Sequence, residues 1–216
     1  MFYPVYLNLK GKRAVVIGGG EVAERKVESL LETGALISVV SPEVTPRLSA
    51  LADEKRVELH KRPYRRCDCS GAALVLSATD DADVSTAVWN EARTVGTLVN
   101  TADQPSLCDF IMPAVVRRGD LTIAISTSGT SPALAARLRG RFSRMLGPEY
   151  ERLLDLLARA RPEIRRRVQH ERNRKALHYR ILDSDVITLL EQNDSNGAER
   201  RLQEIIEDFV CPERTP

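Results

Sequence analysis

The residues with the most specific chemical potential form a glycine-rich turn near the N-terminus. Gly18-x-Gly20-x-x-Ala23 follows the apolar segment 13–18 and opens a segment with helical spacing. Gly18 permits a tight turn, Gly20 lets the backbone approach a pyrophosphate, and the small Ala23 allows close packing of helix on strand. The helix N-terminus adds free N–H groups and a positive dipole end. Between strand and helix, this motif favours dinucleotide binding over a purely structural turn.

A second group of candidate residues follows the next apolar run, 36–40. In dinucleotide-binding folds, an acidic residue near the end of this strand accepts hydrogen bonds from the ribose 2′-hydroxyl. Glu43 lies slightly further along than usual, and neither Ser41 nor Pro42 is an arginine that would neutralise a 2′-phosphate. These residues therefore favour NAD over NADP.

The elements that must position these residues alternate between strand and helix. We expect strands at 13–18, 36–40, 57–64, 73–79 and 97–100, with helices at 21–33, 46–55 and 83–95 between them. This order is typical of a doubly wound parallel sheet. Thr79 and Asp80 leave a central strand at the edge where such sheets bind ligands, although they could equally belong to a helix N-cap.

The alternation ends after Pro113. We expect a helix or turn at 114–118, a turn at Gly119-Asp120, a strand at 121–126, and almost continuous helix beyond Pro132. The sequence therefore predicts three domains, at 1–112, 113–146 and 147–216.

Composition places the chain among ordinary globular proteins. Its 216 residues are 43% hydrophobic and 29% charged, without an apolar run near 18 residues or the pattern of a signal peptide, so we expect a cytoplasmic protein that is not bound to membranes. The cysteines lack metal-ligand spacing, and His60, His170 and His178 do not form a ligand spacing either. We expect no metal site and no disulfide framework. The cysteines are Cys67, Cys69, Cys108 and Cys211.

Charge is distributed unevenly along the helical part of the chain. Residues 136–180 hold 14 Lys and Arg against 5 Asp and Glu, whereas residues 181–216 hold 3 against 9. The pattern fits a solvated helix face, neutralisation within or between chains, a nucleic-acid patch, or attraction of an anionic substrate. The absence of interleaved aromatic residues and of a nucleic-acid motif argues against nucleic acid.

Five segments in a fixed order carry a resemblance to a known family. They read GGGEVAERK at 18–26, ATDD at 78–81, VN at 99–100, CDFIMPA at 108–114 and GDLTIAISTSGTSPALAARLR at 119–139. Together they resemble the precorrin-2 dehydrogenase and sirohydrochlorin ferrochelatase family, which includes the N-terminal half of siroheme synthase. The resemblance implies an α/β fold class: a Rossmann-type parallel sheet domain, a small α+β dimerisation domain and a helical C-terminal domain, assembled as a homodimer.

The resemblance also implies an activity and a set of site residues. Members oxidise precorrin-2, a tetrapyrrole, to sirohydrochlorin and pass hydride to NAD⁺; some also insert Fe²⁺. Asp103 matches the family's catalytic aspartate, a general base for the proton lost from the ring. Cofactor contacts fall on Gly18, Gly19, Gly20, Glu21, Val22, Pro42 and Glu43, with Thr79 and Asp80 beside them. Candidate substrate contacts are Asn100, Ser126, Thr127, Ser128, Arg137 and Arg139.

Two hypotheses stay open at this point. One is an NAD-dependent precorrin-2 dehydrogenase, with or without ferrochelation. The other is an NAD-binding regulatory or sensor module without catalysis. Asp103 and the segment 126–135 favour the enzyme, because a sensor needs neither a base nor a wall for a tetrapyrrole.

Overall fold

The computed structural model describes residues 2–211, which form two compact units that divide between Ile111 and Met112. The N-terminal unit holds a five-stranded parallel sheet in the order β3-β2-β1-β4-β5. Its strands are β1 (Arg13–Ile17), β2 (Leu36–Val40), β3 (Glu58–His60), β4 (Leu74–Ser77) and β5 (Leu98–Thr101), and its helices are α1 (Glu21–Leu31), α2 (Pro46–Asp53) and α3 (Ala82–Val95).

Both faces of this sheet are covered by helices. Alternate residues of β1 point to opposite faces, so that Val16 packs with α1 and α2 whereas Val15 and Ile17 pack on the side of α3. Short apolar, β-branched runs are what a parallel strand buried on both faces requires. The predicted Rossmann-type α/β fold class is confirmed.

The third strand is shorter than the predicted 57–64. Only Glu58–His60 pairs with β2, at the edge of the sheet. Pro63 has no N–H to donate, and the guanidinium of Arg62 turns to the carboxylate of Asp68 in a bidentate contact of 2.7 and 2.8 Å. The chain therefore leaves the sheet after His60.

A carboxylate on α3 anchors the loop that follows. Glu91 accepts hydrogen bonds from the N–H groups of Cys67 at 2.9 Å and Cys69 at 2.7 Å, and from the hydroxyl of Tyr64 at 2.5 Å. Burial, and then the charge of Glu91, raise the pKa of the Cys69 thiol to about 12. The loop is thus held to α3 by a charged acceptor that takes three hydrogen bonds.

We expect Glu91→Ala to destabilise the N-terminal unit by about 2 to 4 kcal/mol, because three donors lose a charged acceptor. Urea unfolding followed by the fluorescence of Trp89, which packs in this unit, measures the effect. Asn90→Ala, an exposed change on the same helix, should leave the midpoint unchanged. Equal midpoints for both variants would contradict the anchoring role.

The C-terminal unit begins with a hairpin and continues as helices. Strands β6 (Ala114–Arg118) and β7 (Leu121–Ile125) pair antiparallel, followed by α4 (Pro132–Met145), α5 (Glu149–Arg167), α6 (Glu171–Leu182), α7 (Val186–Glu191) and α8 (Ser195–Val210). The prediction of a helix or turn at 114–118 was wrong. Val115 and Val116 favour a strand, and Gly119, with a φ of +53°, allows the tight turn into β7.

Part of the charge asymmetry is neutralised inside this unit. Arg167 of the basic segment contacts Glu207 at 2.5 Å, and Arg180 lies 3.8 Å from Asp208, both on α8. The helices α5 to α8 also share one hydrophobic core. The predicted further domain boundary between 146 and 147 stays a prediction.

Candidate functional site

The turn between β1 and α1 is tightly packed against the residues that follow the neighbouring strands β2 and β4. Gly18 has a φ of +116°, and a Cβ there would collide with the carbonyl of Ala78 after β4. A Cβ at Gly19 would collide with the carbonyl oxygen of Glu43 and lie 2.8 Å from the hydroxyl of Ser41, after β2. Both positions therefore require glycine.

Backbone hydrogen bonds fix this turn in place. The N–H of Gly18 donates to the carbonyl of Val40 at 2.9 Å, and the N–H of Thr45 donates to the carbonyl of Gly19 at 2.9 Å. The shape of the turn is thus fixed by hydrogen bonds within the chain, and a fixed turn loses little conformational entropy when a ligand binds.

The N-terminus of α1 opens toward free space. Gly20 is the N-cap, a Cβ there would meet nothing within 4 Å, and no side chain of residues 2–211 caps the helix. The first hydrogen bond of the helix runs from the N–H of Glu24 to the carbonyl oxygen of Gly20 at 3.0 Å. The N–H groups of the helix residues before Glu24 are therefore available to a ligand. Unsatisfied N–H groups at a helix N-terminus beside a glycine turn fit the pyrophosphate of a dinucleotide.

All nine predicted cofactor residues come together at the carboxyl edge of the sheet. They lie in the loops after β1, β2 and β4, which are neighbours in the sheet, and in the first turn of α1, which holds Glu21 and Val22. Gly18 and Gly19 are buried, Thr79 is half-buried, and the rest are exposed: Gly20, Glu21, Val22, Pro42, Glu43 and Asp80. Their contact with a cofactor stays a prediction.

The loop after β4 contains the cap of α3. The carboxylate of Asp81 accepts the N–H groups of Asp83 and Val84, and the hydroxyl of Thr79 accepts the N–H of Asp81 at 3.3 Å. Capping is therefore the task of Asp81, while the carboxylate of Asp80 is exposed at the edge of the sheet.

The loop after β5 carries Asp103, which is exposed and has a φ of +57°. The loop returns to its own strand, because Asp109 both donates its N–H to Val99 at 2.8 Å and accepts the N–H of Val99 at 3.0 Å. The sulfur of Cys108 accepts the N–H of Thr101 at 3.2 Å. These hydrogen bonds hold the loop in a conformation in which Asp103, a non-glycine residue, lies in the left-handed region.

Lys26 is a residue of this site that sequence analysis missed. Its ammonium group donates to Asn100 Oδ1 at 3.0 Å, and the amide nitrogen of Asn100 donates to the carbonyl of Phe110 at 2.9 Å. Burial lowers the pKa of Lys26, although Cys108 and Asp103 nearby oppose that shift. Its spacing of three from the buried Ala23 was the available signal, since such a position borders the sheet-facing side of the helix.

The remaining predicted substrate residues lie in the C-terminal unit. The Ser126 hydroxyl accepts the N–H of Ser128 at 3.0 Å, and the Thr127 hydroxyl accepts the N–H of Ser131 at 3.1 Å. These hydroxyls shape the loop before α4. Arg137 and Arg139 are exposed on α4. The roles of these residues in substrate binding stay predictions, as does that of the buried Asn100.

Residues 2–211 contain no group of three or more His, Cys, Asp and Glu side chains arranged to hold a metal ion. None of their helices is both long and apolar enough to cross a membrane.

Three family models match consecutive parts of the chain. The putative NAD(P)-binding model matches residues 5–114, the sirohaem biosynthesis central model matches 118–145, and the sirohaem synthase dimerisation model matches 149–206.

Similar proteins and a similar structure agree with these matches. The chain is 33% identical over 213 residues to siroheme synthase of Nitrosococcus oceani and 38% identical over 208 residues to that of Nitrosomonas europaea. It covers 46% and 44% of these relatives, less than half of their length. The solved structure of SirC, a precorrin-2 dehydrogenase, superposes with a TM-score of 0.75 at 27% identity and covers 94% of this chain and 100% of its own.

Proposed function

The chain belongs to the putative NAD(P)-binding family, and from this premise we propose that it is an NAD-dependent precorrin-2 dehydrogenase. One observation carries the proposal. The glycine cradle, which is the turn Gly18–Gly20 after β1, and the loop with Asp103 after β5 lie at the same edge of one parallel sheet. The likeness to siroheme synthases and to a precorrin-2 dehydrogenase supports precorrin-2 as the substrate.

The residues divide the reaction between them. When bound, the nicotinamide ring supplies the hydride acceptor. Removal of a hydride leaves the macrocycle cationic, so that it must then lose a proton, and the exposed carboxylate of Asp103 accepts that proton. The rigid turn at Gly18 and Gly19 and the uncapped N-terminus of α1 hold the pyrophosphate. The proton acceptor thus follows β5, whereas the residues that hold the pyrophosphate follow β1.

The C-terminal unit contributes substrate contacts and the dimerisation region. Arg137 and Arg139 on α4 offer positive charge to the carboxylates of the tetrapyrrole, and Ser126, Thr127 and Ser128 offer hydroxyl groups. The match of residues 149–206 to a dimerisation region supports a homodimer. Ferrochelation, with Fe²⁺ as a further substrate, stays a prediction of the family resemblance.

We propose NAD rather than NADP because Glu43, exposed after β2, presents a carboxylate to the ribose hydroxyls. Glu43→Ala is expected to raise the Kd of NAD⁺ by about 5- to 30-fold, the value of a lost charge-assisted hydrogen bond. The Kd of NADP⁺ should fall or stay constant, since repulsion of the 2′-phosphate is removed.

Calorimetric titration of both nucleotides measures these changes. Glu54→Ala, which removes an exposed carboxylate at the end of α2, is the matched control and should bind both nucleotides like the wild type. An unchanged Kd of NAD⁺ in Glu43→Ala would remove the basis for assigning NAD.

The activity itself is tested by anaerobic incubation with precorrin-2 and NAD⁺ while NADH absorbance is recorded. Dehydrogenation predicts NADH formation that depends on protein concentration. A sensor without catalysis would bind NAD⁺ and form no NADH. Later addition of Fe²⁺ shows whether metal insertion exceeds the non-enzymatic rate.

A further inference from the structure

We propose that Lys26 is a positioning residue of this site: through Asn100, its ammonium group holds the loop 101–110 in the conformation that presents Asp103. The inference rests on the proposed function, in which Asp103 is the proton acceptor. Lys26 is not one of the proposed cofactor contacts, and its side chain is half-buried.

The sheet register brings Asn100 to the helix that carries Lys26. Asn100 is paired with Leu76 of β4, which belongs to the core on the side of α1, so the two side chains share that face. Lys26 Nζ reaches Asn100 Oδ1 across this face at 3.0 Å. The contact therefore joins α1 to the strand from which the Asp103 loop departs.

The amide of Asn100 then joins the two ends of the loop. Its nitrogen donates to the carbonyl of Phe110 at 2.9 Å and lies 3.5 Å from the sulfur of Cys108. The same sulfur bonds the N–H of Thr101 at the start of the loop. Without the ammonium group, Asn100 Oδ1 would lose its donor, and the amide could rotate away from both loop ends.

The electrostatic surroundings of Lys26 indicate a reason for a buried cation at this place. Burial of an ammonium group is unfavourable and lowers its pKa, an effect to which Arg25 adds. The groups that favour the charged form are the Cys108 thiol and the Asp103 carboxylate, both in the loop. The cation thus stabilises a loop whose aspartate adopts a φ of +57°, which is unfavourable for a non-glycine residue.

The test compares Lys26→Met, which keeps the length of the side chain, with Lys26→Arg, which keeps its charge and donors. Lys12→Met, the same change at an exposed lysine, is the control. We expect Lys26→Met to lower kcat by about 10- to 100-fold through misplacement of the base, with the Kd of NAD⁺ unchanged. Lys26→Arg should recover most of this loss, and Lys12→Met should behave like the wild type.

Amide hydrogen exchange separates positioning from general damage. Exchange in 101–110 should become faster in Lys26→Met than in the wild type, because the loop loses the contact that holds it. Unchanged exchange in 101–110, or a loss of turnover that Lys26→Arg does not recover, would overturn the proposal.

Failure of the proposed function has a different signature. A wild-type protein that forms no NADH from precorrin-2 would refute the dehydrogenase assignment. The hydrogen exchange of 101–110 would then still decide whether Lys26 holds the loop, since that measurement does not depend on turnover.

Discussion

Asp103→Asn is expected to lower the kcat of precorrin-2 oxidation by about 10² to 10⁴, the usual contribution of a positioned general base. Asparagine has nearly the same shape as aspartate and tolerates the left-handed region that Asp103 occupies at a φ of +57°, so the loop should keep its conformation. The substitution removes only the capacity to accept a proton. Anaerobic turnover with saturating NAD⁺ measures the loss.

Two further measurements show that the loss is chemical. The Kd of NAD⁺ should stay within about twofold of the wild type, because Asp103 lies after β5 and the glycine cradle after β1. Asp53→Asn, at an exposed carboxylate in the last turn of α2, should retain full turnover. Turnover of Asp103→Asn close to that of the wild type would show that another group removes the proton.

Gly20→Thr is expected to raise the Kd of NAD⁺ by about 10- to 100-fold while the fold remains stable, because threonine and glycine are similar N-cap residues. A Cβ at position 20 would meet nothing within 4 Å, so the protein itself has room for the side chain. The added group would occupy the space of the pyrophosphate, and its hydroxyl would compete for the N–H groups of the first turn.

Gly18→Ala provides the contrast. Its φ of +116° and the collision of a Cβ with the Ala78 carbonyl predict loss of stability together with loss of NAD⁺ binding. Thermal unfolding and NAD⁺ titration of both variants separate the two effects. Tight NAD⁺ binding by Gly20→Thr would contradict placement of the pyrophosphate at this helix N-terminus.

The sheet and the cofactor edge could be predicted because each depends on local patterns. Apolar runs such as 36–40 are buried on both faces, and the exits of parallel strands always meet at one edge. The turn at Gly18 was predictable from its local glycine motif between strand and helix, and the structure gives the reason for the glycine, a positive φ and a close approach to Ala78.

The misassigned and missed features depend on tertiary context instead. Segment 114–118 contains two arginines and only one buried residue, Val116, so its strand character becomes visible only when it pairs with β7. Lys26 was missed because a lysine beside an apolar helix stripe normally faces solvent. Its spacing from Ala23 places it at the border of the sheet-facing side of α1, but its contact with Asn100, 74 residues further along the chain, follows from the sheet order.

The most direct test of the central claim is the stoichiometry of one anaerobic reaction. Precorrin-2 in limiting amount is incubated with the protein and excess NAD⁺, and NADH and sirohydrochlorin are quantified together. We expect one NADH for each sirohydrochlorin with the wild type, and formation of both products about 10²- to 10⁴-fold slower with Asp103→Asn. Sirohydrochlorin without NADH, or tight NAD⁺ binding without either product, would contradict the claim.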